Sequence, residues 1–325
     1  MRSVLLTAAA LAAVCLSGCT SAAKTPTTTA PTTSTPAETA DAGISGGPPG
    51  ASPSSNGSGG TLVYLAHEGN GVRLYSWKPG AQPTQLGAFP SAANGNGNVS
   101  PDGTRMSWVD DDGKLQVSGV DGKNAKVLPD KYDQYCNDPK WSGDGKRLLV
   151  SKPSSTGALG WVDADSGAFT KVVDRAPGCH VRQTGDAKHY VYQDGGARIW
   201  ISMDATLTNS TELRVPGHAT VDYAAVSADG SRIALFLTTP DGETGDVGRN
   251  LFANAVVDTA HGTIVKLPVE GTLRQAFFTP DGGMIIRYKT GAGTQIAVVD
   301  RNNAVVRTVA EPDRLKDTEL NRYTI

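Results

Sequence analysis

The sequence carries no surplus of charge of either sign: 30 Lys and Arg stand against 32 Asp and Glu, a net charge of −2. Its basic residues gather into nothing larger than isolated pairs, which argues against a nucleic-acid partner or a polybasic membrane surface. The five histidines, His67, His180, His189, His218 and His261, show no paired spacing of the kind that clamps a metal ion. Residues 61 to 325 contain no Gly-x-Ser-x-Gly nucleophile elbow. No cofactor is therefore expected, and an enzyme reading has little to stand on. The successive acids of "VDDDGK" (109 to 114) point apart in a tight turn and lack the spaced oxygens of a calcium loop. "VDADSGAFT" (162 to 170) reads as a hairpin turn.

Cysteine is also scarce, at four residues. Cys15 and Cys19 fall in the first segment, "MRSVLLTAAALAAVCLSGC", which has one positive charge, then an apolar stretch too short for a comfortable membrane span, then small residues. This pattern predicts an export signal over 1 to 19. Cys136 and Cys179 remain. An even pair in an exported domain suggests a disulfide, with two separated buried thiols as the alternative. The two lie 43 residues apart, about one repeat length of the pattern described below. Closing that loop is worth about 4 kcal/mol on the chain-entropy account.

The tetrapeptide Leu16-Ser17-Gly18-Cys19 resembles the lipobox of bacterial lipoproteins. The resemblance implies cleavage before Cys19 and its acylation, hence a permanent membrane anchor. Residues 20 to 60 are dominated by Thr, Ala, Pro, Ser and Gly, with no apolar periodicity, and read as a disordered stalk. Coil statistics give such a stalk a reach of about 35 Å.

What is plentiful is turn chemistry. There are 38 Gly and 19 Pro, and Ser100-Pro101-Asp102-Gly103 is a tight-turn recipe. Variants recur in "WSGDGKRLLV", "QTGDAKHYVY", "VSADGSRIAL" and "FTPDGGMIIR". Their aspartates, Asp102, Asp144, Asp186, Asp229 and Asp281, are spaced by 42, 42, 43 and 52 residues, the signature of a repeat architecture. In one unit, 105 to 110, 114 to 120 and 125 to 129 read as strands, with a short fourth strand just before the turn. Four strands in about 42 residues make one antiparallel blade. A second series, Asp121, Asp163, Asp204, Asp258 and Asp300, follows the third strands in the same frame. Its one outlier locates an insertion at 239 to 250.

These turns, preceded by segments such as "DPKW" and followed by "KRLLV", resemble the repeats of TolB-type proteins, WD-repeat-like β-propellers of bacterial envelopes. The resemblance spans 61 to about 312 and implies a propeller. TolB itself places an α/β domain where this chain has its stalk. Ahead of the first turn, three strands lack an innermost partner, and an open edge beside the channel would leave backbone groups unpaired. One repeat step beyond Asp281 lands at Tyr323. The expectation is an all-β, six-bladed β-propeller over 61 to 325, closed by residues 319 to 325 pairing with 61 to 66. A frayed helix over "PDRLKDTEL" is the alternative.

In such a ring the five turns share the bottom face, and the blade-to-blade connections and the 239 to 250 insertion share the top, where binding is expected. Counting six residues back from each turn aspartate gives Asn96, Asp138, His180, Tyr223 and Gln275. Two further on come Asn98, Lys140, Arg182, Ala225 and Phe277. Of these, Asn96, Asp138, His180, Tyr223, Gln275, Lys140 and Arg182 form a candidate ligand ring. The expected protein is a monomeric, lipid-anchored, extracytoplasmic binding or scaffold module whose top face meets an envelope protein or cell-wall component, with no nucleic-acid partner. The competing expectation is a divalent-cation-dependent propeller hydrolase of the lactonase kind, with Asp138, Asn96, Asn98 and Asp222 as ligands.

Overall fold

A computed structural model describes residues 60 to 325 apart from 135, 137, 155, 156, 196, 197, 205, 243–251 and 325. The expected signal, Cys19 and nearly all of the expected stalk lie outside the described residues, as does most of the 239 to 250 insertion.

Six four-stranded antiparallel sheets follow one another along the chain. Blade 2 comprises Asn98–Val99, Arg105–Val109, Lys114–Gly119 and Lys126–Lys131, close to the sequence reading. Blade 3 runs from Lys140–Trp141 to Phe169–Val173, and blade 4 from Cys179–Gln183 to Ser210–Glu212. Blade 5 runs from Ala219–Val226 to Thr263–Ile264, and blade 6 from Thr272–Phe278 to Val305–Ala310. Blade 1 is composite. Its three outer strands are Thr61–Glu68, Gly71–Trp77 and Thr84–Pro90, and its innermost strand is Glu319–Thr324. The register runs from Thr61 opposite Thr324 to Leu65 opposite Glu319, so the tail closes the ring as the repeat arithmetic requires. A 3₁₀ turn over Asp313–Leu315, in place of a helix, leads into that strand.

The burial pattern explains why the inner strands read as continuous apolar runs. Each blade is sandwiched between two others, so both faces of its central strands are covered. Arg147–Ser151 and Tyr190–Gln193 are buried almost throughout, whereas the outermost Val305–Ala310 is exposed along nearly all its length. The core therefore lies between blades. One cluster joins Val109, Leu115 and Val117 of blade 2 to Trp141, Leu148 and Val150 of blade 3. A second joins Leu62 and Tyr64 of blade 1 to Ile285 and Ile296 of blade 6 across the closure. Trp141 is buried in the first of these seams, and Trp108 and Trp161 are buried in the seams between blades 1 and 2 and blades 3 and 4.

The repeating turn has a common chemistry. The Ser or Thr two residues before each aspartate donates its hydroxyl to that carboxylate, at 2.6 Å for Ser142 to Asp144 and Thr184 to Asp186 and 2.7 Å for Ser227 to Asp229. The same hydroxyl oxygen accepts the backbone N–H five residues on, that of Arg147 or Arg232. The residue after the aspartate adopts a left-handed conformation, φ 68° at Gly145 and 73° at Gly230. Blade 4 breaks the rule by placing Ala187 there, at φ 60°, a region that a Cβ disfavours.

Candidate functional site

The innermost strands start at the channel's upper mouth and descend to the turns, so the residues ahead of each turn aspartate face the axis in succession. Strand geometry alone would make every second residue equivalent, but the structure divides the candidate ring in two.

Asp138, Lys140, His180 and Arg182 converge in the channel. Asp138 is ion-paired to Lys140, both side chains being about nine-tenths buried, and it accepts a hydrogen bond from Asn98 Nδ2 at 3.0 Å. His180 Nδ1 lies 3.2 Å from Asp222 Oδ1. Arg182 stands over the Tyr223 ring at 5.8 Å. His180 has φ 57°, beside a break in register between Cys179 and Arg182, so strain accompanies the placement of its ring. The Cys136–Cys179 disulfide is formed. It ties the segment entering blade 3 to the first residue of blade 4's innermost strand, next to Asp138 and His180. His180 N also donates to Cys136 O at 2.8 Å.

Asn96, Tyr223 and Gln275 use their polar groups on the scaffold. Asn96 donates to Val109 O and accepts from Val109 N, at 3.1 and 3.0 Å, an amide acting as an extra rung of the ladder. Gln275 does the same for Leu320 across the seam between blades 6 and 1, at 3.2 and 3.1 Å. Tyr223 donates its hydroxyl to the blade 4 carbonyls of Val191 and His180, and burial raises its pKa.

Three further channel residues come from positions outside the counted ring. Asp222 reaches the axis because blade 5's innermost strand is bulged on either side of it, between Thr220 and Asp222 and between Tyr223 and Ala225. Glu319 and Asn321 come from the tail, where there is no turn aspartate from which to count. Glu319 faces His67 Nε2 at 3.7 Å. Asn321 accepts from Val99 N at 2.9 Å and donates to Gly97 O at 3.2 Å, tying blade 1 to blade 2.

These charges are mutually committed. Burial pushes the Asp138 carboxyl up, but Lys140, His180 and Arg182 outweigh it and hold the group below the usual carboxylate range. Burial, reinforced by Arg182, brings Lys140 down to about 8. Burial raises Glu319. The space left among them is about 30 Å³, room for little more than water. A divalent ion is a poor fit here: the ammonium of Lys140 already neutralises Asp138, and the Asn96 amide is spent on Val109. Among the described residues no three His, Cys, Asp or Glu side chains cluster as a metal site.

Beside this filled channel a groove of about 550 Å³ opens between blades 6 and 1. Its lining includes Arg274, Lys289, Lys316, Asp313 and Asp317, whose side chains make no ion pair with a described residue. Phe252, at the end of the blade 5 insertion and 42% exposed, borders both groove and channel. Among the described residues no helix is long and apolar enough to cross a membrane.

No protein-family model matches the chain, and no curated protein sequence matches it significantly. Solved structures do. TolB from Acinetobacter baumannii is similar with a TM-score of 0.52 at 14% identity, over 82% of this chain and 65% of that one. A chain of a nidogen/laminin complex has a TM-score of 0.49 at 11% identity, over 80% of this chain and 97% of that one. This chain thus matches about two thirds of the TolB chain. At such identities the likeness shows architecture alone: this is a six-bladed β-propeller similar to that of TolB.

Proposed function

We infer that this protein is a non-enzymatic binding or scaffold module, anchored through acylated Cys19 and presented beyond the membrane on its stalk, whose top face engages an envelope protein or cell-wall component. The observation that carries this reading is the contrast on that face. At its upper mouth the axial channel is packed with its own ion pairs, with about 30 Å³ left among them, while the adjoining groove offers uncommitted charges of both signs and the exposed Phe252 ring. Such a mixed surface suits a macromolecular partner. The disulfide supports an oxidising compartment, and tethering raises local concentration so that modest affinity suffices.

The test places a photo-crosslinking residue at Lys289, in the groove, or at Lys188, in a bottom-face turn, in cells that produce the full chain. Discrete adducts at Lys289 that are absent at Lys188 and are lost with Arg274→Glu are expected. Identical adducts from both faces would overturn the top-face assignment. Separately, Cys19→Ala is expected to move the protein out of the membrane fraction. Retention there would remove the lipid anchor from the proposal.

A further inference from the structure

The bottom mouth of the channel has a different character. Below the waist formed by Lys140 and Arg182, the channel widens into a vestibule of about 430 Å³ that reaches the turns of blades 2, 3, 4 and 6. Lys140, Arg182 and Arg322 supply its charge, and Phe277, Phe278 and Tyr323 supply apolar wall. None of the described residues lining it is an Asp or Glu.

Three cations held together without an acid in the same chamber repel one another. Burial lowers Arg322 to about 10 and Lys140 to about 8, and Arg182 adds to both shifts. Asp138 answers Lys140 from above the waist, and Asp102 attracts Arg322 from its turn. Arg182 attracts Asp138 and stands over the Tyr223 ring, yet its Nε is buried with no hydrogen-bond partner among the described residues. Arg322 donates Nε and Nη2 to Val99 O at 3.1 and 2.9 Å. A buried guanidinium donor with no acceptor is costly, and guanidinium forks match the oxygens of phosphate groups.

We propose that the lower vestibule binds a phosphomonoester, its phosphate oxygens accepting from Arg182 and Arg322 with Lys140 behind them, and its organic part lying against Phe277 and Phe278. The chamber is larger than an inorganic ion fills, and its apolar wall lies beside the cationic one, which is why an ester is favoured over free phosphate. The site is at the opposite mouth from the top-face groove and does not depend on it.

Calorimetric titration of the full chain with phenyl phosphate and with inorganic phosphate, at constant ionic strength set by chloride, tests this. Saturable binding is expected, tighter for phenyl phosphate. Arg182→Gln should weaken both ligands roughly tenfold or more, as for loss of a charged hydrogen bond. Phe278→Ala should remove only the advantage of the ester. Arg274→Ser, in the top groove, should change neither. Arg182 also attracts Asp138 and stands over the Tyr223 ring, so the variant's thermal midpoint should drop while the protein stays folded at the titration temperature. Should it fail to fold, Arg182→Lys decides, because a lysine keeps the charge but cannot offer a fork and must still bind more weakly. No saturable binding, equal affinity in the Arg182 variant, or an equal loss in Arg274→Ser would overturn the proposal.

Discussion

In blades 2 to 6 the innermost strand and its neighbour are joined by a tight turn of five or six residues, while in blade 1 the same two strands are separated by almost the whole folded region. The local design needs only a hydroxyl, a carboxylate and a residue tolerant of positive φ. The distant one must overcome the entropy of closing a loop of some 250 residues, about 3 to 4 kcal/mol more than a tight turn on simple chain statistics. The tail is accordingly held by more than its ladder. Arg287, buried at 3% exposure, donates to Glu311 at 2.8 and 3.2 Å, to Gln275 at 2.8 Å, and to the carbonyls of Leu315 and Thr318 at 2.8 and 2.6 Å. One guanidinium thereby fastens the 3₁₀ turn and the approach to the last strand onto blade 6. Where sequence proximity is missing, a buried ion pair and its hydrogen bonds take over the task of fixing register.

The strongest way to break this comparison is Arg287→Ala. It strands Glu311 in a buried site and frees the tail, so a loss of about 3 to 5 kcal/mol is expected by urea unfolding. A loss no greater than that of a single-turn variant such as Asp144→Ala would mean that closure does not hinge on this network.

Acid should separate the two designs next. The carboxyls of Asp102, Asp144, Asp186, Asp229 and Asp281 are all held below their ordinary value, chiefly by the Ser or Thr hydroxyl and backbone N–H bonds, with Asp229 at about 2. A lowered folded-state pKa contributes stability that is present above the unfolded value of 3.8 and is lost as pH falls through the folded one. Glu311 and Glu319 are raised by burial. Their contribution has the opposite sign, present below 4.5 and lost as pH rises. Hydrogen exchange between pH 4 and pH 2 should therefore show the turns of blades 2 to 6 opening before the tail pairing. Tail amides exchanging first would refute the assignment.

The smallest effect sharpens the comparison among the turns themselves. Ala187→Gly relieves the one left-handed alanine in the series and should stabilise by up to about 1 kcal/mol. A glycine that destabilises would show Ala187 to be held there by packing.

The fold was legible because a propeller writes its period into its turns: the five aspartates and the missing first inner strand specify blade number and closure together. The channel was only half legible. Spacing gives position along a strand, and a bulge then changes which residue faces the axis, which is how Asp222 enters while Tyr223 turns to the blade 4 carbonyls. Asn96 and Gln275 satisfy the polar pattern of a ring equally well as ladder rungs, and composition cannot separate the two uses. Glu319, Asn321 and Arg322 lacked a turn to be counted from. The strained His180 backbone has a local signal only in hindsight, beside the Cys179 bridge.

The borrowed strand also sets an order of events. Because Glu319–Thr324 comes after the other five blades in the chain yet completes the sheet that Thr61–Glu68 begins, a nascent chain carries Thr61–Glu68 with a bare flank until residues 319 to 324 have been made. Five blades can assemble as they emerge, but the ring closes only once that strand is available, and a chain stopped short of it presents an adhesive rim to its neighbours.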